Sequence, residues 1–182
     1  MKFNKLEILI LLSNDISDIN ILENVDFKEL KVLDLSTNNI SNIKVLEKAK
    51  LNKLEKLYLG SNEISNNINI LENVDFKELK KLVLYNNNIS DIKVLEKVNF
   101  KKLKELDLRG YNISDIKVLE KVNFKELEKL LLNDNKISDI KVLDKVTFNK
   151  LKVLTLGNNK IHDFENVLFN NVMKSKIRYF YK

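Results

Sequence analysis

The sequence contains no cysteine and no proline, and only one histidine and three glycines, in 182 residues. Without cysteine no disulfide can form, which favours a cytoplasmic location, although bacterial secreted proteins also lack cysteine and secretion stays open. One histidine, His162, and no cysteine cannot form a Cys–His catalytic pair or a closed zinc site. The glycines stand singly, so there is no glycine-rich phosphate loop. We therefore expect no enzyme activity, no cofactor and no metal.

Long apolar runs are also absent. No apolar stretch approaches the roughly 18 residues that a membrane-spanning helix needs. The first residues lack the order of a signal peptide, because their apolar stretch, Ile8 to Leu12, is short and already belongs to a repeat. The sequence predicts no membrane span and no small-molecule substrate.

A repeat of 24 or 25 residues covers the chain. Its copies begin at Phe3, Phe27, Leu51, Phe76, Phe100, Phe124 and Phe148. A fixed period of this size predicts a solenoid, in which each coil buries its apolar face only against neighbouring coils. We predict one domain, residues 1–182, with seven coils that form an α/β solenoid.

Each coil combines two apolar periodicities. Leu33 and Leu35 alternate with polar residues, which predicts a strand with one buried face. Ile43, Leu46 and Ala49 recur three residues apart, as on a short helix or 3₁₀ turn. An aspartate that can cap the turn precedes it in four coils, at Asp18, Asp91, Asp115 and Asp139. Seven strands should therefore lie side by side in one parallel sheet.

An asparagine recurs where the chain leaves six of the predicted strands. These residues are Asn14, Asn38, Asn62, Asn87, Asn135 and Asn159. A buried amide has two donors and an acceptor, so we expect a structural ladder that satisfies turn backbone, rather than a polar binding row. The fifth coil has Tyr111 at this position, after Arg109 and Gly110. The ladder either breaks there or Asn112 takes the place of the missing amide.

These positions form the pattern Leu-x-x-Leu-x-Leu-x-x-Asn-x-Ile-x-x-Ile-x-x-Leu. The pattern resembles the leucine-rich repeat family over nearly the whole chain. The Ile-ending repeat is most similar to those of bacterial internalins and of a regulatory subunit of protein phosphatase 1, although the present repeats are longer. The resemblance implies a horseshoe with its sheet on the concave side, short helices or 3₁₀ turns on the convex side, and a protein-binding role.

The outward positions of the strands do not follow the consensus and are free to encode recognition. Aromatic residues and arginine occur mid-array among lysines and glutamates, which is the composition of an interface hot spot. The predicted partner-binding residues are Tyr58, Lys81, Val83, Tyr85, Asp107 and Arg109, with Asp34, Glu105 and Leu131 at the edges. For Val83 and Leu131 the alternative, that they merely suit a strand, stays open.

Two other functions are possible on the sequence evidence. Lysines recur on the predicted convex side, at Lys44, Lys93, Lys117 and Lys141 and at Lys48, Lys97, Lys121 and Lys145. Glutamates interleave with them, which favours a solvated face with weak ion pairs over a nucleic-acid or anionic surface. The second alternative is a phosphatase-regulating subunit, which rests on the resemblance alone.

The two ends of the repeat array differ. The first strand is apolar on both faces, so we expect a fragment of a longer array, pairing with a second copy or partner along that edge, or a fold-over of residues 1–5. Residues 164–182 are predicted to be a capping helix followed by a degenerate edge strand. Its basic and aromatic residues could instead bind nucleic acid, an interpretation that we rank below the cap.

Overall fold

The computed structural model describes residues 3–110 and 112–162. Seven three-residue strands form one parallel sheet in chain order. They are β1 (Ile8–Ile10), β2 (Val32–Asp34), β3 (Lys56–Tyr58), β4 (Lys81–Val83), β5 (Glu105–Asp107), β6 (Lys129–Leu131) and β7 (Val153–Thr155). Each strand pairs only with its chain neighbours, so the described sheet is open. The predicted parallel sheet is confirmed.

A 3₁₀ helix follows each of the first six strands. The six described helices are η1 (Asn20–Asn24), η2 (Lys44–Glu47), η3 (Asn66–Glu72), η4 (Lys93–Glu96), η5 (Lys117–Glu120) and η6 (Lys141–Asp144). The extra residue of the third coil lies in η3, which is seven residues long. The insertion therefore lies on the side away from the sheet, as expected.

The predicted aspartate caps are present. Asp91 Oδ1 accepts a hydrogen bond of 2.9 Å from the backbone N–H of Lys93, the first residue of η4. Asp18, Asp115 and Asp139 make the same contact in their coils. Asn42 replaces the aspartate before η2, at 2.9 Å from the Lys44 N–H, and the sequence analysis missed it.

The core lies between the sheet and the row of 3₁₀ helices. The middle leucine of β2 to β7 is buried in every strand, and Leu33 pairs in register with Leu57. Four of the phenylalanines that open the coils stack in pairs, with ring centroids 6.2 Å apart for Phe3 and Phe27 and 6.5 Å apart for Phe76 and Phe100. Stability therefore comes from contacts between neighbouring coils.

The predicted asparagine ladder is observed. Asn62 donates from Nδ2 to the carbonyl oxygens of Leu35 (3.0 Å), Leu59 (3.1 Å) and Gly60 (3.3 Å), and its Oδ1 accepts from the Ile40 N–H at 3.0 Å. The same pattern, which links a coil to the preceding one, recurs at Asn38, Asn87, Asn135 and Asn159. Asn14 is exposed, and its side chain forms hydrogen bonds only within its own coil.

The residue before each ladder asparagine has a left-handed backbone. The φ angles are between 50° and 58° at Ser13, Thr37, Ser61, Asn86, Asp134 and Asn158. Sequence analysis did not identify this position, which non-glycine residues occupy at a cost in strain. In the fifth coil Gly110 is found there, with a φ of 147° that favours glycine.

Tyr111 lies outside the described residues, but its neighbour Asn112 is described, so the expectation that Asn112 takes the place of the missing amide can be examined. The Asn112 side-chain oxygen accepts a hydrogen bond of 3.4 Å from Lys136 Nζ. In the described part of the chain the Asn112 side chain makes none of the ladder hydrogen bonds, so it does not replace the ladder amide. The predicted cap at 164–182 also lies outside the described residues.

Two columns of charge link successive coils on the surface. One column alternates in sign along the whole array: Lys5, Glu29, Lys53, Glu78, Lys102, Glu126 and Lys150. Within it the closest N–O distances are 2.7 Å for Glu29–Lys53, 2.7 Å for Glu78–Lys102 and 2.6 Å for Glu126–Lys150. A second column contains Glu7–Lys31, Glu55–Lys80 and Glu128–Lys152. Opposite charges 24 or 25 residues apart thus favour the observed register.

Candidate functional site

The outward side chains of the seven strands form a surface that we term the sheet face. The register aligns its first column as Ile8, Val32, Lys56, Lys81, Glu105, Lys129 and Val153, and its second as Ile10, Asp34, Tyr58, Val83, Asp107, Leu131 and Thr155. A third column follows two residues further on and includes Leu12, Ser36, Gly60, Tyr85 and Arg109. The predicted site residues all belong to these columns.

Arg109 is held in place by two neighbours. Its Nε and Nη2 donate to the two carboxylate oxygens of Asp107, at 2.9 Å and 2.7 Å. The centre of the guanidinium group is 5.4 Å from the centroid of the Tyr85 ring, which is within cation–π distance. The hydrogen bond to Asp107 raises the pKa of Arg109 above its usual value, so the guanidinium stays charged.

The Tyr85 ring lies over Gly60 of the preceding coil. A Cβ atom at position 60 would collide with the ring. The absence of a side chain at Gly60 therefore gives Tyr85 its place on the sheet face. This dependence between two coils was not evident from the sequence.

A second group of side chains crosses four strands. Lys81 Nζ lies 5.4 Å from the Tyr58 ring centroid and 2.7 Å from Glu105 Oε1. Lys129 Nζ is 3.8 Å from the other Glu105 oxygen. Tyr58, Lys81, Glu105 and Lys129 thus form a continuous chain of contacts from β3 to β6.

The remaining predicted residues differ in exposure. Val83 and Asp107 are only 4% and 3% exposed, so they support their neighbours more than they present a surface. Asp34 and Leu131 are half-buried, and Asp34 Oδ1 accepts a hydrogen bond from the Ser36 N–H at 2.9 Å. The structure therefore places Tyr58, Lys81, Tyr85 and Arg109 together at the accessible centre.

The apolar residues of the first coil also belong to the sheet face. Ile8, Ile10 and Leu12 are 55%, 60% and 46% exposed. From the sequence they were interpreted only as part of an apolar edge strand that is prone to pairing. Their exposure on the sheet face was not predicted, because it depends on which face of the strand they occupy. The register places them beside Val32 and Asp34 of β2.

The opposite surface, which we term the turn face, carries the lysine columns. Its lysines pair between coils: Lys97 with Glu72 (2.8 Å), Lys121 with Glu96 (3.4 Å) and Lys145 with Glu120 (3.6 Å). The expected glutamate–lysine interleaving is present, but each of these pairs joins residues that are 25 positions apart instead of residues within one turn. Such exposed pairs are individually weak.

Residues 77–121 and 125–170, half of the chain, match the family profile described as "Leucine Rich repeats (2 copies)". The chain belongs to the leucine-rich repeat family. Solved structures of Listeria monocytogenes internalins are similar to it. An internalin (inlF) is 30% identical, with a TM-score of 0.77, over 97% of this chain and 47% of that one. Internalin C2 is 26% identical, with a TM-score of 0.76, over 98% of this chain and 72% of that one.

This leucine-rich repeat chain thus spans about half the length of the first of those structures. The plant peptide hormone receptor RGFR1, in complex with RGF2, shares the fold alone, with 23% identity, a TM-score of 0.61, and coverage of 86% of this chain and 25% of that one. No curated protein matches the sequence significantly. The expected family and the internalin-type likeness are confirmed.

Leucine-rich repeat proteins are in general protein-interaction modules and typically non-enzymatic scaffolds. Within the described ranges, the structure contains no group of three His, Cys, Asp or Glu side chains placed to hold a metal ion. None of the helices described here has the length and apolar character to cross a membrane.

Proposed function

We propose that this leucine-rich repeat protein is a non-enzymatic scaffold that binds a protein partner on its sheet face. The observation that carries the proposal is the pair of half-buried tyrosines at the centre of the face, each with a cation over its ring. Tyrosine and arginine are among the residue types that are enriched in interface hot spots.

The side chains at this centre are ordered before any partner arrives. Arg109 is fixed by two hydrogen bonds to Asp107, and Lys81 by its ion pair with Glu105. Binding to pre-ordered side chains loses less conformational entropy than binding to mobile ones. The aromatic rings add apolar contact area that is flanked by charge, which supports a specific protein interface over a nonspecific one.

The likeness to a peptide hormone receptor in complex with RGF2 supports the same proposal at the level of the fold. A solenoid of stacked coils presents a long continuous surface, and its side chains occur at intervals of about 4.8 Å, the spacing between strands. An extended partner segment that lies across the strands can then contact one coil after another.

The test measures whether a sheet-face variant still captures the partner protein as the wild type does. This variant combines Tyr58→Ala, Tyr85→Ala, Asp107→Asn and Arg109→Ala. Asp107 is included because it is 3% exposed, and its carboxylate would be left buried without a counter-charge. The matched control replaces Lys93, Lys117 and Lys141 on the turn face with alanine.

We expect the sheet-face variant to lose capture and the turn-face variant to keep it, with both unfolding temperatures close to that of the wild type. Capture by the sheet-face variant at wild-type level would exclude the sheet face. Loss of capture in the turn-face variant, with a steep dependence on salt, would favour the basic surface instead.

A further inference from the structure

Asp34 and Asp107 occupy equivalent places on the sheet face, three coils apart. Both end their strands in the second column of the register. Each carboxylate accepts a hydrogen bond from the backbone N–H two residues later, at 2.9 Å from Ser36 and at 3.2 Å from Arg109. The backbone thus orients the two carboxylates in the same way.

The two carboxylates differ in their counter-charge. Asp107 receives the guanidinium group of Arg109, its neighbour in the third column. At the equivalent place beside Asp34 the chain has Ser36, which carries no charge. Within residues 3–110 and 112–162, Asp34 forms no ion pair, and its Oδ2 takes part in no hydrogen bond. The protein therefore contains both a filled carboxylate site and an open one.

The surroundings of Asp34 are suited to an arginine flanked by aliphatic residues. Ile10 is opposite Asp34 on β1, and Tyr58 is opposite it on β3. Arg109 is preceded in the third column by Tyr85 of the coil before it. The residue that precedes Ser36 in the same way is Leu12. Ile10 and Leu12 are 60% and 46% exposed, and the Tyr58 ring is partly accessible.

The sheet face also carries a cation, Lys56, on the strand next to Asp34. It lies at the start of β3, diagonal to Asp34, and it is exposed. Its ammonium group forms no ion pair with Asp34 in the described structure, so the carboxylate stays available to an incoming cation.

We propose that Asp34 binds an arginine side chain of the partner protein, as Asp107 binds Arg109, while aliphatic residues beside that arginine pack on Ile8, Ile10 and Leu12. Guanidinium matches a carboxylate with two parallel hydrogen bonds, which an ammonium group cannot make. This inference rests on the proposed function, because it specifies the chemistry of the partner segment that meets the first coils.

The experiment titrates the full chain with the peptide acetyl-Leu-Arg-Leu-amide and follows backbone amide signals by NMR. We expect saturable shifts centred on Ser36, whose N–H bonds to Asp34. The same peptide with citrulline, a neutral isostere of arginine, should bind about tenfold or more weakly. Asp34→Asn should weaken binding by a similar factor, and it keeps the acceptor for the Ser36 N–H.

Two further variants make the result specific. Ser36→Arg should fill the site from within the chain and abolish peptide binding, and circular dichroism verifies its fold. Asp75→Asn, which removes an exposed carboxylate away from the sheet face, should leave binding unchanged.

The proposal is overturned if the peptide causes no saturable shift at Ser36, or if wild type and Asp34→Asn bind it equally. Equal binding of the citrulline peptide would also overturn it. If partner capture is lost in the Tyr58, Tyr85, Asp107 and Arg109 variant but persists in Asp34→Asn, this inference fails and the proposed function stands. If neither variant affects capture, both fail.

Discussion

Replacement of Asn62 by alanine should destabilise the protein strongly, because one buried amide serves two coils. The carbonyl oxygens that it contacts keep other donors: Asn38 for Leu35, Asn87 for Leu59 and Thr37 for Gly60. The Ile40 N–H has no other acceptor in the described structure, and Ile40 is fully buried. An unsatisfied buried N–H together with the lost bonds costs about 3 kcal/mol.

For a domain of this size that loss corresponds to a fall in Tm of about 6–12 °C. Asn62→Asp should be worse, since it directs a carboxylate oxygen at the carbonyl groups that now accept from Nδ2. Asn14→Ala is the matched control, because the Asn14 side chain is exposed and donates hydrogen bonds only to Leu11 and Leu12 of its own coil. Urea unfolding and differential scanning calorimetry measure the effect. Equal losses at Asn62 and Asn14 would refute the structural interpretation of the ladder.

Two other predictions concern stability and one concerns binding. In the folded state, lysines lower the pKa of Glu29, Glu55 and Glu128 through direct hydrogen bonds. These carboxylates therefore stabilise the fold at pH values above their usual pKa of 4.5, and their contribution is lost as the pH falls through the lowered pKa values. The Tm should therefore fall on acidification below about pH 4.5, and less steeply when all three residues are glutamine; an unchanged pH profile would contradict this. Gly110→Ala should lower the free energy of unfolding by about 1–3 kcal/mol, because φ is 147° and the new Cβ would lie 3.2 Å from the Asn86 nitrogen. Urea unfolding measures this loss, with Gly157→Ala as the comparison. Gly60→Ala should displace the Tyr85 ring, so we expect clearly weaker partner capture with only a small fall in Tm. Capture at the wild-type level would show that the position of the ring is unimportant.

The parts of this fold that repeat were predictable from the sequence. Leu33 and its equivalents, the capping aspartates and Asn62 recur in register, and a residue that must satisfy the same backbone groups in every coil cannot vary freely. The left-handed residue before each asparagine was missed because Ser, Thr, Asn and Asp all occupy it. Its requirement concerns the backbone, so no single side-chain type marks it.

The site was predicted less completely, because it depends on contacts between coils. The tyrosines and Arg109 were identified by residue type and column, and the structure places them at one centre. The burial of Val83 involves neighbours on other coils, such as Tyr58 on the adjacent strand, and Asp107 is covered by Arg109 in a contact that the sequence does not reveal. The Glu–Lys pairs that join neighbouring coils were also not predicted, because the sequence indicated pairing within a turn.

Site-specific photo-crosslinking tests the proposed sheet-face interface most directly. Lys56 on the sheet face and Lys117 on the turn face are both exposed, so each can be replaced by benzoylphenylalanine with little effect on packing. In a lysate of the organism that carries the gene, we expect a discrete crosslinked protein from position 56, absent in the Tyr58, Tyr85, Asp107 and Arg109 variant, and none from position 117. A discrete product from position 117 alone would contradict the proposal that the sheet face binds the partner.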